Sequence, residues 1–382
     1  MSRLNWIFLA LFLGQLPILV LAHGFGAGSG VSAVYMIGAL ALLLMSGNWR
    51  GLTLLPADLA FLVFAAAIGC STWGNGLTAP LKEYVLLGLS LGAYVAGRTF
   101  PLETPDRWFR APLLLVLVVG SILVANALIV QWNDRHGKPL LFDKFDAAPV
   151  QFMTCAAFLL FAAINGRLSR AEAVIILGLC SISLMIFAAS QVRFAFVAMT
   201  VAIVLGRSSK ISRPVMFCGA VLLAFAILGL VVRWHTTLAY LQQLVGAAGC
   251  DGDSSIGIRK QLYVDAFGLL PSSGWFGRGL DAFMSHSCVQ ATEVHNSILQ
   301  AVIEFGWVGG AAFAVLIFGS LAVRSPFVLT GLLFELAISM AYGRISRDGA
   351  LLFFVGYAVQ FASRPATAPV ADAEYRAVQT AQ

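Results

Sequence analysis

The feature that most constrains this chain is a series of long apolar runs that recurs from one end to the other. A helix of about 20 apolar residues is long enough to cross the hydrocarbon layer of a bilayer. The sequence is 59% hydrophobic and only 11% charged, whereas soluble domains carry roughly 25% charged residues. A water-soluble fold cannot bury so much apolar surface, so the sequence predicts an all-α, polytopic integral membrane protein.

The length rule predicts about 12 transmembrane helices in a single transmembrane domain, residues 1–363. The first run also has features of a secretory signal peptide, but it is long for one, so we expect an uncleaved span. Residues 364–382 are rich in alanine and polar residues, and we expect a disordered cytoplasmic tail there. The predicted spans lie near residues 5–22, 30–47, 52–70, 80–97, 111–131, 148–165, 173–189, 190–206, 214–233, 296–323, 326–342 and 349–363.

One apolar stretch must break in the middle. Between Glu172 and Arg207 the only charged residue is Arg193. A single helix over this stretch would be roughly 50 Å long at 1.5 Å per residue, which exceeds a bilayer. We therefore predict two spans that turn near Ser190, which can cap the second helix. Arg193 then lies at a membrane surface, where it can bind a phosphate or simply extend towards lipid headgroups.

Basic residues in the short loops predict the orientation, because cytoplasmic loops are enriched in lysine and arginine. Both termini then lie inside, and the loop at about residues 234–295, between spans nine and ten, lies on the periplasmic face. The net charge of +6 falls largely in these gaps, so we do not expect nucleic acid as a partner. The basic residues of the predicted cytoplasmic set are Arg50, Arg98, Arg107, Arg110, Arg167, Arg170, Arg207, Lys210, Arg213 and Arg324.

The periplasmic loop is too long to be a simple connector. It is predicted to contain an amphipathic helix at about 256–270, ended by Pro271 and followed by a glycine-rich, irregular segment. Arg259 and Tyr263 are four residues apart and therefore share a face of this helix. They are candidates for binding a substrate, although a solvated face with arginine–tyrosine packing is the more common outcome.

His295 stands just before the next apolar run. Ser297 and Gln300 have the spacing of a capping box, so a helix is expected to begin there. The positive end of that helix should lower the pKa of His295 and keep the neutral imidazole, the form that a general base needs. The alternative is a histidine that only caps or packs at the interface.

The loop also contains cysteines and carboxylates, which are candidates for a disulfide and for metal binding. Cys250 and Cys288 can form a disulfide if the loop faces an oxidising periplasm, or remain free thiols if it does not. The carboxylates near His286 match no compact metal-binding template, and nucleotide-binding and zinc-protease motifs are absent from the sequence. We therefore expect neither a metal nor a cofactor. The carboxylates considered are Asp251, Asp253, Asp281 and Glu293.

Three segments, taken in order, resemble the O-antigen ligase and Wzy-type polymerase superfamily. The first is the Ser190–Arg193 turn. In the second, an arginine on a helix is followed by a proline and a Gly-x-Gly stretch: Arg259, Pro271, Gly277, Arg278, Gly279 and Phe283. The third is a His-Asn signature leading into a span: His295, Asn296, Leu299, Gln300, Glu304, Gly306 and Gly309. Two departures from the family pattern are Phe194, in place of a small residue, and Ser297-Ile298, in place of a more aromatic pair.

The resemblance implies a metal-independent membrane glycosyltransferase of the bacterial inner membrane with its active site facing the periplasm. Its donor would be a glycan on undecaprenyl diphosphate. Its acceptor would be lipid A-core for a ligase, which the compact length slightly favours, or another lipid-linked glycan for a polymerase. Arg193 and Arg259 would hold the diphosphate, and His295 would deprotonate the acceptor hydroxyl. Further substrate contacts are expected from Arg278, Tyr263, Asn296, Arg344 and Arg347.

Two hypotheses from other functional classes are alternatives to glycan transfer. A carrier or flippase for a lipid-linked or anionic substrate would place charges and broken helices near the middle of the membrane, usually in repeated halves. The predicted spans are nearly uncharged at their centres, and no repeat is detected. A structural scaffold in the membrane would tolerate replacement of Arg193 and His295.

Overall fold

The computed structural model describes residues 2–14, 29–49, 52–103, 105–132, 139–142, 148–165, 168–190, 193–206, 255–289, 293–342 and 344–362. Within these ranges the chain is helical and forms no β-sheet. The all-α prediction is thus confirmed for the described residues. The predicted span 214–233, the start of the long loop and the tail 364–382 lie outside them.

The α-helices follow the predicted apolar runs closely. Single 3-10 turns at Leu270–Ser272 and Ile345–Arg347 connect some of them. The helices are α1 Ser2–Gly14, α2 Ser29–Ser46, α3 Pro56–Asn75, α4 Leu81–Thr99, α5 Arg107–Val130, α6 Ala148–Asn165, α7 Arg170–Ala189, α8 Arg193–Gly206, α9 Ser255–Leu269, α10 Ala282–His286, α11 Ser297–Ser320, α12 Pro326–Tyr342 and α13 Gly349–Ala362.

Four of the described helices are long and apolar enough to cross a membrane: α3, α5, α11 and the Ala171–Ala189 part of α7. Shorter apolar helices lie in α1, α2, α6, α8, α12 and α13. Helix α4 is in neither group, and it carries Lys82, Glu83 and Arg98. The chain is therefore a helical membrane protein, while the number of about 12 spans stays a prediction.

The predicted break near Ser190 is present. Helix α7 ends at Ala189 and α8 begins at Arg193. The Ser190 hydroxyl donates to the Phe187 carbonyl at 2.8 Å. Ser190 therefore closes α7 and stands three positions before α8, so the prediction that it caps the second helix was wrong.

Helix α4, despite its charges, is held deep in the bundle by contact with α13. A Cβ added to Gly97 would lie 2.1 Å from the Phe353 carbonyl oxygen, and one added to Gly356 would lie 2.1 Å from that of Tyr94. Such small residues let two membrane helices approach backbone to backbone. This crossing fixes α4 and, with it, the charged residues near both of its ends.

At the predicted cytoplasmic end of α4, Arg98 forms a bidentate ion pair with Asp58 of α3. The two nitrogen–oxygen distances are 2.8 and 2.9 Å, and the Tyr94 hydroxyl donates to the same carboxylate at 2.7 Å. A mainly apolar cavity of about 230 Å³ lies beside this pair, lined by Leu52 and Phe61 among others. Its charged groups are already paired with each other.

Helix α11 is interrupted at Gly306, whose φ of 76° and ψ of −177° are not helical. At this break, main-chain groups of the long loop form hydrogen bonds with main-chain groups of the helix. The Arg278 N–H donates to the Ile303 carbonyl at 3.1 Å, and the Gly279 N–H donates to the Glu304 carbonyl at 3.0 Å. Both carbonyls precede the interruption, and they accept hydrogen bonds from amides of the loop instead of from amides of the helix.

The other side of the break is paired in the same way. The Trp307 N–H donates to the Gly274 carbonyl at 3.0 Å, and the Val308 N–H donates to the Trp275 carbonyl at 3.2 Å. We call these four main-chain hydrogen bonds the splice. Because main-chain groups in an apolar environment must be paired inside the protein, the splice fixes the loop against α11.

The end of α3 holds the same loop segment from a second direction. The Asn75 side-chain amide donates to the Gly277 carbonyl at 3.2 Å, and the Thr78 hydroxyl donates to the Leu280 carbonyl at 2.8 Å. Asn75 is the last residue of α3. The glycine-rich segment therefore lies at the level where this helix ends.

Helix α9 of the loop runs from Ser255 to Leu269 and is followed by a turn that contains Pro271, as predicted. Its buried face joins the first turns of α11 in a small hydrophobic cluster. The buried members of this cluster are Leu262, Ala266, Phe283, Val294, Leu299 and Ile303. The loop thus has its own core, which rests on the head of α11.

The splice gives a test of the fold. A Cβ on Gly306 would lie 2.2 Å from the Trp275 carbonyl oxygen, and the positive φ disfavours any other residue. We expect Gly306→Ala to destabilise the protein by about 1–3 kcal/mol, in the range of other overpacked sites. Thermal unfolding of the purified protein in detergent measures the loss.

Gly319→Ala is the matched control, because Gly319 lies in the same helix and an added Cβ would meet nothing within 4 Å. We expect it to unfold at the wild-type temperature or slightly above. Equal unfolding temperatures for the two variants would show that the close approach at Gly306 is not a stabilising feature of the fold.

Candidate active site at the head of helix α11

His295 stands immediately before the N-cap of α11, with a positive φ of 55°. The cap itself is Asn296, whose side-chain oxygen accepts from the Leu299 N–H at 3.0 Å. The predicted capping box at Ser297 was therefore wrong, since asparagine is as good an N-cap as serine and Ser297 is the first helical residue. His295 is held at the mouth of the helix, as expected.

The environment of His295 favours the neutral imidazole. Burial, and after it the positive charge of Arg259, lowers the pKa of His295, while the Glu293 carboxylate acts in the opposite direction. The Nδ1 atom is buried and makes no hydrogen bond to any part of the chain that the structure describes. The direction of the shift agrees with the sequence prediction, and its largest cause is burial.

Arg259 and Tyr263 lie on α9, which packs over the start of α11. Arg259 is close enough for its charge to act on His295. The Tyr263 hydroxyl lies 3.5 Å from the Met340 carbonyl oxygen at the end of α12. Three predicted site residues are thus brought to one end of the bundle.

Arg344 occupies the centre of an acidic cluster beside this site. One guanidinium nitrogen lies 3.0 Å from a Glu293 oxygen and 3.5 Å from a Glu83 oxygen, and the other pairs still more closely with Asp281. Arg347 contacts the same Glu83 oxygen at 2.7 Å. These carboxylates come from α4, from the loop and from the segment that leads into His295.

The acidic cluster around Arg344 helps to fix the position of His295. Glu293 stands two residues before His295, so its ion pair with Arg344 fixes that segment to the bundle. The charge of Arg344 is already opposed by three carboxylates, and its side chain is 11% exposed. No three metal-ligating side chains are grouped to hold an ion among the described residues.

A second buried network ties Ser297 to the last two helices. The Ser339 hydroxyl on α12 lies 2.6 Å from an Asp348 carboxylate oxygen and 2.7 Å from the Ser297 hydroxyl. Ser297 itself donates a short hydrogen bond to Asp348. Burial raises the pKa of the Asp348 carboxyl to about 6, although both hydroxyls act to lower it.

Sequence reasoning did not single out Asp348 or Glu83. The signal was present, because a carboxylate within or beside an apolar run must find a partner inside the protein. Their partners lie in other helices, however, and spacing along one helix does not reveal them.

Other residues of the His-Asn signature also have structural partners. Gln300 accepts from the Ile345 N–H at 3.2 Å and donates to a Glu304 carboxylate oxygen at 2.9 Å. Glu304 is fully buried. Asn296, Gln300, Glu304 and Gly306 therefore cap, brace and interrupt one helix, whereas His295 is the member whose side chain reaches the site.

Arg278 makes its described side-chain contacts within the loop. Its guanidinium donates to the Ser272 hydroxyl at 2.6 Å and lies 3.1 Å from His286 Nε2. His286 Nδ1 lies 2.8 Å from the Ala282 carbonyl oxygen. Since a carbonyl only accepts, Nδ1 carries the proton and Nε2 accepts from Arg278.

Arg193 is the first residue of α8, and its side chain lies outside the described part of the protein. The position of its main chain is nevertheless informative. Helices α8 and α12 pack together, and Gly206 at the end of α8 lies against Thr330 near the start of α12. The two helices therefore run antiparallel, and Arg193 is level with the end of α12, where Met340 meets Tyr263.

Cys288 is disulfide-bonded. Its backbone N–H donates to an Asp265 carboxylate oxygen at 3.1 Å, and the Ser287 hydroxyl donates to the same oxygen at 2.7 Å. Cys250, its predicted partner, lies outside the described residues. Asp265 thus holds this end of the loop to α9.

Comparison with known proteins bears on the same region. Residues 155–314 match a protein-family model described as O-antigen ligase. No curated protein matches the chain. The matched stretch contains Arg193, Arg259, His295 and the interruption at Gly306, which confirms the resemblance found in the sequence. Over these residues, the chain is similar to the O-antigen ligase family.

Proposed function

We propose that this protein transfers a glycan from undecaprenyl diphosphate to a sugar hydroxyl on the periplasmic face of the bacterial inner membrane. The observation that carries the proposal is the half-buried His295 beside Arg259 at the head of α11, with a lowered pKa and an Nδ1 that has no hydrogen-bond partner among the described residues. The family match supports it. The acceptor is lipid A-core if the enzyme is a ligase, and another lipid-linked glycan if it is a polymerase.

The proposed chemistry is a single displacement without a metal ion. Neutral His295 takes the proton from the acceptor hydroxyl, whose oxygen forms a bond to the anomeric carbon of the donor. The bond between that carbon and the diphosphate oxygen breaks, and the diphosphate leaves with the electron pair. Arg259 and Arg193 oppose the charge that develops on the leaving group, since guanidinium binds phosphate oxygens in pairs.

The remaining predicted site residues receive different roles. Tyr263 and Arg278 are kept as substrate contacts at the edge of the site. Asn296 is assigned to positioning, because its cap fixes the start of α11 and therefore the main chain of His295, which precedes it. Arg344 and Arg347 are assigned to positioning, because the carboxylates around them would repel a diphosphate.

A carrier for a lipid-linked substrate is a second candidate, because α11 is broken and carriers use broken helices to bind substrates and ions. In this protein, however, the carbonyls of Ile303 and Glu304 and the amides of Trp307 and Val308 are bound by the loop. These four main-chain groups are thus not free to bind a substrate, which favours glycan transfer.

The central test is surface-glycan analysis of a deletion strain that carries either the wild-type gene or its His295→Ala form. Loss of a general base typically costs 10²–10⁴-fold in rate, so we expect the variant to reproduce the deletion at normal expression. Lipid-linked polymer behind uncapped lipid A-core identifies a ligase, and a single repeat unit on the core identifies a polymerase. Full glycan from His295→Ala would refute the assignment of the base.

The pH dependence tests the electrostatic link between Arg259 and His295. A lowered pKa keeps the imidazole neutral to a more acidic pH, so the acid limb of kcat/KM should have its midpoint below the ordinary histidine value of about 6.5. Arg259→Gln removes the positive charge that lowers this pKa. We expect that limb to move to higher pH, together with a loss of kcat/KM from weaker diphosphate binding.

Arg324→Gln is the control for this experiment, because Arg324 is exposed and lies at the predicted cytoplasmic end of α11. We expect neither the limb nor kcat/KM to change. An acid limb that stays in place in Arg259→Gln would mean that this arginine does not act on the base.

The positioning role of Arg344 makes a prediction about stability. Arg344→Gln would leave Glu83, Asp281 and Glu293 without their shared cation, and breaking a buried ion pair costs about 3–5 kcal/mol. Arg347→Gln is the matched control, since Arg347 pairs with the same Glu83 but its side chain is 51% exposed. We expect it to cost less than about 1 kcal/mol. Similar unfolding temperatures for the two variants would contradict the role of Arg344.

A further inference from the structure

In the described part of the long loop, four large apolar side chains are exposed. Val264, Phe267, Trp275 and Phe276 are 58, 61, 74 and 45% exposed. We call these four residues the loop patch. Scattered apolar residues are normal on a protein surface, but a group contributed by one loop marks an interaction site.

The loop patch lies at the level of the membrane edge. Trp275 belongs to the splice with α11, and Asn75 at the end of α3 donates to the neighbouring Gly277 carbonyl. Helices α3 and α11 are both long and apolar enough to cross a bilayer. Because the end of a spanning helix marks the boundary of the apolar layer, Trp275 and Phe276 lie at this boundary and not far out in water.

The spanning helices expose tryptophans at the same level. Trp73 lies two residues before Asn75 and is 92% exposed, and Trp307 lies next to the break in α11 and is 47% exposed. Tryptophan is enriched where the apolar layer meets the headgroups, because its ring is apolar and its N–H is polar. The lipid-facing surface of the two helices therefore continues into the loop.

Helix α9 carries apolar side chains on two of its faces. Val264 and Phe267 are three positions apart and share its outer face, whereas Leu262 and Ala266 are buried against α11. Lys260 lies on the outer face, four positions before Val264. A helix with a polar outer face would be expected if that face met water, so the apolar outer face of α9 indicates a cover of lipid or protein.

We infer that the loop patch inserts into the headgroup–acyl boundary of the lipid leaflet on the loop side, so that the loop rests in the membrane. The occupant of this surface is the bilayer itself. The loop patch is continuous with the exposed tryptophans of α3 and α11, and this continuity favours the bilayer over a second protein as the occupant. The splice alone would not distinguish the two.

The test is lipid quenching of tryptophan fluorescence in proteoliposomes that contain the full chain. The emission of Trp275→Phe is subtracted from that of the wild type, with ordinary lipids and with lipids brominated near the start of the acyl chains. We expect the contribution of Trp275 to be blue-shifted, quenched by brominated lipid and insensitive to aqueous iodide. The conservative phenylalanine keeps the surface apolar, so folding should be preserved.

Two further variants calibrate the measurement. Trp73→Phe removes the highly exposed tryptophan of a spanning helix and should show the same quenching by lipid. Trp6→Phe removes a buried tryptophan that packs against Phe100 and Phe109, and its contribution should be quenched by neither agent.

Either of two results would overturn the inference. Quenching of Trp275 by iodide alone would place the loop patch in water. Quenching by neither agent would show that a protein surface, such as a second copy of the chain, covers it. Because no glycan is needed in these experiments, their outcome is independent of the proposed function.

Discussion

The position of the candidate site depends on how the main chain of α11 is satisfied where it breaks. In an apolar environment an unpaired N–H or carbonyl is costly, and the interruption at Gly306 frees such groups on both sides. The loop supplies their partners through the four bonds of the splice. His295 stands at the head of the same helix, so the loop and the histidine are fixed relative to each other.

Charge is divided between the two sides of His295. On one side Arg344 is surrounded by Glu83, Asp281 and Glu293, which makes this guanidinium part of the scaffold. On the other side Arg259 lies on α9, and its charge helps to keep the histidine neutral. The same cation that would bind a diphosphate therefore also prepares the base, which couples the two halves of the proposed reaction.

Local features of the sequence predicted local structure well. The length of the apolar stretch required the turn near Ser190, and Pro271 marked the end of the loop helix. The two capping predictions that failed were also local, since Ser190 closes α7 and Asn296, not Ser297, caps α11. The larger misses were contacts between distant segments. The pairing of Glu83 with Arg344 and the splice at Gly306 join parts of the chain whose proximity depends on tertiary packing, which periodicity does not record.

The splice also determines what can be exchanged between related proteins. A chimera that replaced the loop alone would keep the splice only if the new loop brought main-chain groups to the positions of residues 274, 275, 278 and 279, and one that replaced α11 alone would need a matching break in the new helix. Residues 274–279 and the helix around Gly306 therefore form one structural unit, although they are separated in the sequence. Because these bonds join main-chain groups, the side chains of the unit can vary, whereas the main-chain path and the glycines at Gly277 and Gly306 cannot.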